Sequence, residues 1–445
     1  MAGLSGICNH EQAANMVYLM LLAMQHLGEA TAHIVSSDKD ELRAEGGNGL
    51  IEKVFSEEKI QKELSGVHAI GYNSQIKDDR RSFVGKMYGG FSICMVGRIK
   101  NAFKLRAHLE NRGALFQSDS DSELLAHLIA QSKEADFFMG LHSAFGRVEG
   151  AYAFLALNNG RLYAGRDKLG YWSLHIGKLQ GSYVVSTETC AFSLIDATYE
   201  GEVLPGQIVV ISNGPQAIQK LTQTVFASEP RRAGCLMDVI YNARPDSVVF
   251  GRTVAVARHD IGAQLYREYP VAADLVLPLL DSTKEIAVGF HWESKIPLGV
   301  GLIRNHYIWH SLSDPKNYRD IKRRIKFNPT RELLAGKRVA LIINSILRGE
   351  RAEYLIALLK SSEVGAREVH LLSGCPFPLD ACEHGGYSPP KSELLSSRVT
   401  IDMLGQHFKN ADSVGVISLE GLLKAIVDKG NEFCVSCLSG KPTEF

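Results

Sequence analysis

Halfway along the chain the hydrophobic pattern changes its period, and this change restricts the fold more than any other feature. Asp274–Leu280, Lys337–Asn344 and Glu368–Leu372 are short, nearly continuous apolar runs. Helical patterns lie between them, such as Ile286–Trp292 and Ala352–Lys360. A strand that is apolar on both sides needs a cover on both faces, so this half predicts a parallel sheet between helical layers. The first half reads differently. Ala151–Leu157, Arg161–Gly165, Tyr183–Ser186 and Gln207–Ile211 predict strands, and Asn158-Asn-Gly160 between the first two is a hairpin signal. Gly3–Ile7 predicts a strand and Glu11–His26 a helix ending at Gly28. Ser120-Asp-Ser-Glu123 predicts a capping box in front of Leu124, Leu125, Leu128 and Ile129. A mixed α+β half with antiparallel character therefore precedes an α/β half, and the boundary falls near 225–234, in Ala227–Gly234.

Composition narrows the function classes. The 445 residues are 45% hydrophobic and 22% charged, which excludes disordered, collagen-like and coiled-coil proteins. Lys plus Arg and Asp plus Glu both number 49, so no basic excess points to nucleic acid as a partner. The most apolar stretch, Met16–Met24, is shorter than the roughly 20 residues that span a bilayer. No basic n-region or small-residue cleavage site accompanies it, so no membrane partner is expected and the expected location is cytoplasmic. The cysteines are Cys8, Cys94, Cys190, Cys235, Cys375, Cys382, Cys434 and Cys437. In a long chain without a secretion signal they read as buried thiols or a metal site rather than as disulfides.

Four segments carry a resemblance: Ser186-Thr-Glu-Thr-Cys-Ala-Phe192, Ala243-Arg-Pro-Asp-Ser247, Gly301-Leu-Ile-Arg-Asn305 and Ser418-Leu-Glu-Gly-Leu-Leu423. In their order and spacing the whole chain resembles the glutamine phosphoribosylpyrophosphate amidotransferase family. The resemblance implies an N-terminal Ntn-hydrolase domain of the class II glutamine amidotransferase type, an αββα arrangement, over residues 1–230. It implies a type I phosphoribosyltransferase-like domain with a parallel sheet, and a C-terminal cluster-binding segment, over 231–445. The family forms dimers and tetramers, so a homo-oligomer is expected.

Residue by residue, the resemblance is uneven. The family's mature chain starts with a cysteine nucleophile, and here the matching run is Ala2-Gly-Leu-Ser-Gly-Ile7. A methyl group cannot attack an amide. Cys8 lies six residues on, roughly 20 Å along a strand, too far to replace it. The family's R-Y-A-T segment is Ser74-Gln-Ile-Lys77, and its H-N-G oxyanion segment is Met95-Val-Gly97, so Val96 stands where the amide donor belongs. Asp121 matches a retained acid of the family, and its plainer reading is a cap residue of the following helix. Trp172 replaces an arginine of the family's R-D-P-x-G-x-R-P loop, an aromatic residue that fills a pocket or forms a docking surface.

The transferase fingerprint of the family, D-D-S-I-V-R-G-T-T, grips the ribose hydroxyls and supports Mg²⁺ with its two carboxylates. Here it reads Ile343-Asn-Ser-Ile-Leu-Arg-Gly-Glu-Arg351. Glu350 at the phosphate turn would repel a phosphate by about 3 kcal/mol per unit charge at ~5 Å and an effective dielectric near 20. Asp281 and Ser282 match the pyrophosphate turn, and Arg304 and Asn305 match a second segment. With Arg348 and Gly349 these residues are the candidate binding set for a phosphorylated small molecule. No catalytic residue is assigned. Cys235, Cys382, Cys434 and Cys437 match the four cysteines that hold a [4Fe–4S] cluster in some family members. His306 and His310, and the basic run Arg319–Lys326, are weaker metal and anion candidates.

Three functional readings follow. The preferred one is a non-catalytic iron–sulfur protein, a pseudoenzyme that senses, carries or presents the cluster, or that regulates or scaffolds a protein partner. The alternative is an enzyme with altered chemistry on a nucleotide or sugar phosphate. A second alternative is an ammonia-dependent phosphoribosyltransferase in purine synthesis.

Overall fold

The computed structural model describes residues 2–38, 41–212, 218–219, 232–279, 281–304, 327–386, 388–426 and 433–442. Two antiparallel sheets form the N-terminal half. The seven-stranded one runs in the order Thr198–Glu202, His175–Leu179, Ser182–Ser186, Ala2–Cys8, His68–Ser74, Thr31–Asp38, Glu41–Asn48. The six-stranded one runs Ile218–Gln219, Ile208–Ile211, Arg161–Arg166, Gly150–Asn158, Phe91–Ile99, Ser82–Gly85. Alternation explains how they stack. On strand Ala2–Cys8 the side chains of Ala2, Leu4 and Cys8 enter one core with Cys94, Val96, Ala151, Ala153 and Leu155 of the other sheet. The opposite faces carry the helices: Ala13–Ala23 on one sheet, Ala102–Glu110, Asp121–Ala130 and Phe137–Phe145 on the other. The result is the αββα arrangement.

The hairpin signal holds. Asn158 pairs with Arg161, and Asn159 (φ 46°) and Gly160 (φ 65°) take the left-handed backbone that a two-residue turn needs. The capping box forms only in part. Ser120 accepts from Ser122 N, but Glu123 turns away and accepts from Gln117 N, Ser118 N and Ser118 Oγ. The preceding loop offers three donors at 2.7–2.8 Å and outcompetes the cap.

In the C-terminal half, Leu275–Pro278, Arg338–Ile343, Glu368–Ser373 and Ser413–Val416 form one parallel sheet in that order. Val276, Ala340, Ile342 and Leu372 face the helices Val254–Glu268, Lys284–Ser294 and Leu419–Ile426, whereas Leu277, Val339, Leu341 and Leu371 face Glu350–Lys360. Both faces are covered, as the unbroken apolar runs require. Among the described residues no helix is long and apolar enough to cross a membrane. Most of the expected boundary segment Ala227–Gly234 lies outside the described residues.

Candidate functional site

Two regions correspond to the sites expected from the sequence. The first is the start of strand Ala2–Cys8. Ala2 stands in register with Ser74 and is 4% exposed. It shares its core with Val96 and Trp172, which are equally buried. Gly97 takes φ +104°, and a side chain there would meet Trp172 Nε1 at 2.7 Å. Trp172 Nε1 is itself buried without a hydrogen-bond partner. The region is thus lined by a methyl, an isopropyl and an indole, with no nucleophile among them. Asp121 Oδ2 accepts from Ile99 N at 2.8 Å, so it ties its helix to strand Phe91–Ile99, and burial pushes its carboxyl up. Cys8 lies at the far end of the strand against His68 Nδ1 at 3.3 Å. Burial pushes its thiol up to about 12, which removes it as a nucleophile.

The second region is the carboxyl end of the parallel strands, where ligands bind in open α/β sheets. Asn344 follows strand Arg338–Ile343, and Asp281–Thr283 is a short turn before helix Lys284–Ser294. They clasp each other: Ser282 Oγ donates to Asn344 Oδ1 at 2.9 Å, and Asn344 Nδ2 donates to the Ser282 carbonyl at 2.8 Å. Lys284 Nζ lies 2.8 Å from Asp281 Oδ1. Arg348 donates to Glu393 Oε2 from Nε and Nη2 at 2.7 and 2.6 Å. Gly349, at φ +86°, caps helix Glu350–Lys360, and Glu350 opens its first turn. Of the expected set, Asp281 and Ser282 lie in the turn that bonds to Asn344, whereas Arg348 and Gly349 lie just before helix Glu350–Lys360, with Arg348 paired to Glu393. The side chain of Arg304, and Asn305, His306, Trp309, His310 and Arg319–Lys326, lie outside the described residues.

The cysteines converge without forming the expected cluster site. Cys235 and Cys434 are register partners in a short parallel pair, Gly234–Cys235 with Phe433–Cys434. Cys382 Sγ lies 3.2 Å from the Tyr171 hydroxyl, and Cys434 Sγ lies 3.2 Å from Ser436 Oγ. Burial pushes the Cys235 thiol well up and that of Cys437 to about 12. Among the described residues no group of three or more His, Cys, Asp and Glu is arranged to hold a metal ion. The iron–sulfur expectation built on Cys235, Cys382, Cys434 and Cys437 is corrected accordingly.

Sequence reading missed the seam between the halves. Glu188, 3% exposed, accepts from Ser247 Oγ at 2.8 Å and Arg244 N at 3.0 Å, and contacts His26 Nε2 at 3.0 Å. Thr189 Oγ1 accepts from Val248 N at 2.7 Å. His26, Arg244 and Ser247 hold the Glu188 carboxyl below its ordinary value despite its burial. Asp238, close by, is pushed up to about 7 by burial. The signal was present, because Ser186–Phe192 and Ala243–Ser247 are two of the segments that carried the resemblance. Their contact across the chain was not legible.

Comparison with known proteins places these observations. A family model described as a glutamine amidotransferase domain matches residues 67–193. Amidophosphoribosyltransferase 2 (chloroplastic) of Arabidopsis thaliana is 36% identical, over 99% of this chain and 80% of its own. The amidophosphoribosyltransferase of Methanocaldococcus jannaschii is 35% identical, over 100% of this chain and 98% of its own. The solved structure of glutamine phosphoribosylpyrophosphate (PRPP) amidotransferase from B. subtilis, complexed with ADP and GMP, superposes with a TM-score of 0.91 at 33% identity, covering 99% of this chain and 97% of that one. Relatives across the full length bear the names of enzymes. The reading as a non-catalytic scaffold or pseudoenzyme is therefore overturned.

Proposed function

The chain belongs to the amidophosphoribosyltransferase family, and from that premise we propose that it is a phosphoribosyltransferase that takes its nitrogen from ammonia. The observation that carries this reading is Ala2: a buried methyl group at the position where the resemblance puts the glutamine-attacking thiol. Glutamine hydrolysis has no nucleophile there, whereas an amination at the other end of the molecule needs none. In the proposed reaction the nitrogen lone pair attacks C1 of phosphoribosylpyrophosphate, the C1–O bond to pyrophosphate breaks with its electron pair, and the nitrogen loses a proton to water.

This chain's crevice residues would position the two ends of that substrate. The Asp281–Ser282 turn and the Arg348–Gly349 turn are the two proposed walls, and Asn344 holds the first of them to the end of strand Arg338–Ile343. Lys284 and Arg348 are the cations there, paired with Asp281 and Glu393, and a polyanionic ligand would take the place of those carboxylates. Residues 1–230 and 231–445 are proposed as the glutaminase-like and transferase-like parts of a homo-oligomeric, cytoplasmic enzyme.

The test is pyrophosphate release from phosphoribosylpyrophosphate, with ammonium or glutamine as the nitrogen source. Release with ammonium and none above background with glutamine is the expected result. Equal release with glutamine would refute the assignment of the nitrogen source, and no release with either would refute the activity.

A further inference from the structure

The resemblance brings with it a divalent cation supported by two adjacent carboxylates, and the donor set in this crevice does not fit one. The two positions are Ile343 and Asn344. Ile343 is 3% exposed and sits in the apolar face of the sheet. Asn344 is 6% exposed, and both its amide atoms are engaged by Ser282. An amide oxygen is a neutral ligand, and a hard cation such as Mg²⁺ is held through carboxylates and substrate phosphates. The neighbouring carboxylate, Asp281, is paired with Lys284 Nζ at 2.8 Å. Among the described residues no group of three or more His, Cys, Asp and Glu could hold a metal ion.

What replaces the pair is a brace. Ser282 and Asn344 exchange two hydrogen bonds between residues 62 apart in sequence and so lock the Asp281–Thr283 turn to the end of strand Arg338–Ile343. Each wall ends in a cation, Lys284 after the first turn and Arg348 before helix Glu350–Lys360. A turn braced in this way holds its geometry before the ligand arrives, and the two cations can neutralise phosphate charge without a bridging ion once the ligand replaces their carboxylate partners.

We propose that this crevice binds its phosphorylated sugar ligand without a divalent cation, with the Ser282–Asn344 brace and the cations Lys284 and Arg348 taking the place of the carboxylate-supported metal. The inference rests on the transferase reading above and adds to it a specific departure from metal-dependent recognition.

The experiment is calorimetric titration of the full chain with phosphoribosylpyrophosphate, once with Mg²⁺ and once with EDTA in its place. The expected Kd differs by less than about twofold between the two conditions. A larger weakening in EDTA overturns the inference and leaves the transferase reading standing. Absence of binding in both conditions overturns the transferase reading and the inference with it. Asn344→Asp, which returns one carboxylate to the crevice, is the second arm. Its Kd is expected to become Mg²⁺-sensitive by about tenfold. A variant that folds, binds and stays insensitive overturns the role given to Asn344.

Discussion

The start of strand Ala2–Cys8 and the segment around Asn344 both differ from the pattern that the resemblance implies, in opposite directions. At the first, carbon has replaced polar chemistry: Ala2, Val96 and Trp172 share one packed core between the sheets. At the second, polar groups stand in place of other polar groups: Asn344 bonds to Ser282, Lys284 pairs with Asp281, and Arg348 pairs with Glu393. An apolar replacement adds to the core and closes a site, because buried area stabilises roughly in proportion to its size. A polar replacement in a crevice keeps groups that can exchange a partner for a ligand. The contrast is the one that the proposed ammonia-dependent reading expects.

The contrast is sharpest in stability. Trp172→Ala removes a large side chain from the inter-sheet core and is expected to cost about 3–5 kcal/mol in urea denaturation. A cost below ~1 kcal/mol would mean that Trp172 does not fill that region. Next comes the seam between the two regions. The Asp238 carboxyl rises from 3.8 to about 7 on folding, chiefly through burial. A raised acid gives stability that is complete below its unfolded pKa and is lost as pH rises through the folded one. The protein is therefore expected to weaken between pH 3.8 and about 7 on this group's account. Asp238→Asn should lack that decline and exceed the parent above pH 7 by on the order of 2–4 kcal/mol in melts across pH. Parallel curves for the two proteins would remove Asp238 from the pH response.

Smaller effects belong to the crevice. Asn344→Ala breaks two hydrogen bonds and should cost about 1–2 kcal/mol, well below Trp172→Ala, in the same urea series. Smallest is Lys284→Ala. The Lys284–Asp281 pair is half exposed, so its loss should change stability by no more than about 0.5 kcal/mol. The same variant should weaken phosphoribosylpyrophosphate about tenfold in titration, which separates a binding role from a structural one. Unchanged affinity would remove Lys284 from the crevice's function.

Much of the architecture was legible because period is a local property. The apolar runs gave the parallel strands, and Asn158-Asn-Gly160 gave the hairpin, since both follow from a few adjacent residues. Glu123 was misread because its competing donors, Gln117 and Ser118, lie in a loop whose path only the fold sets. Glu188 was missed for the same reason on a larger scale: its partners Arg244 and Ser247 are 56 and 59 residues away. At the candidate site, the resemblance proposed Asp281, Ser282, Arg348 and Gly349, but the amide brace between Ser282 and Asn344 was not legible. For the cysteines, the resemblance implied that Cys235, Cys382, Cys434 and Cys437 form one metal site, and among the described residues no group of three or more His, Cys, Asp and Glu could hold a metal ion. Their convergence was given more weight than it bears, and the preferred reading failed with it.

The division between a closed region and an open one is tested most directly by melting the protein in the presence of each family substrate separately. Phosphoribosylpyrophosphate is expected to raise Tm in a concentration-dependent way, as any ligand of the folded state does, and glutamine is expected to leave it unchanged. A Tm raised by glutamine, or one unmoved by phosphoribosylpyrophosphate, would contradict that division.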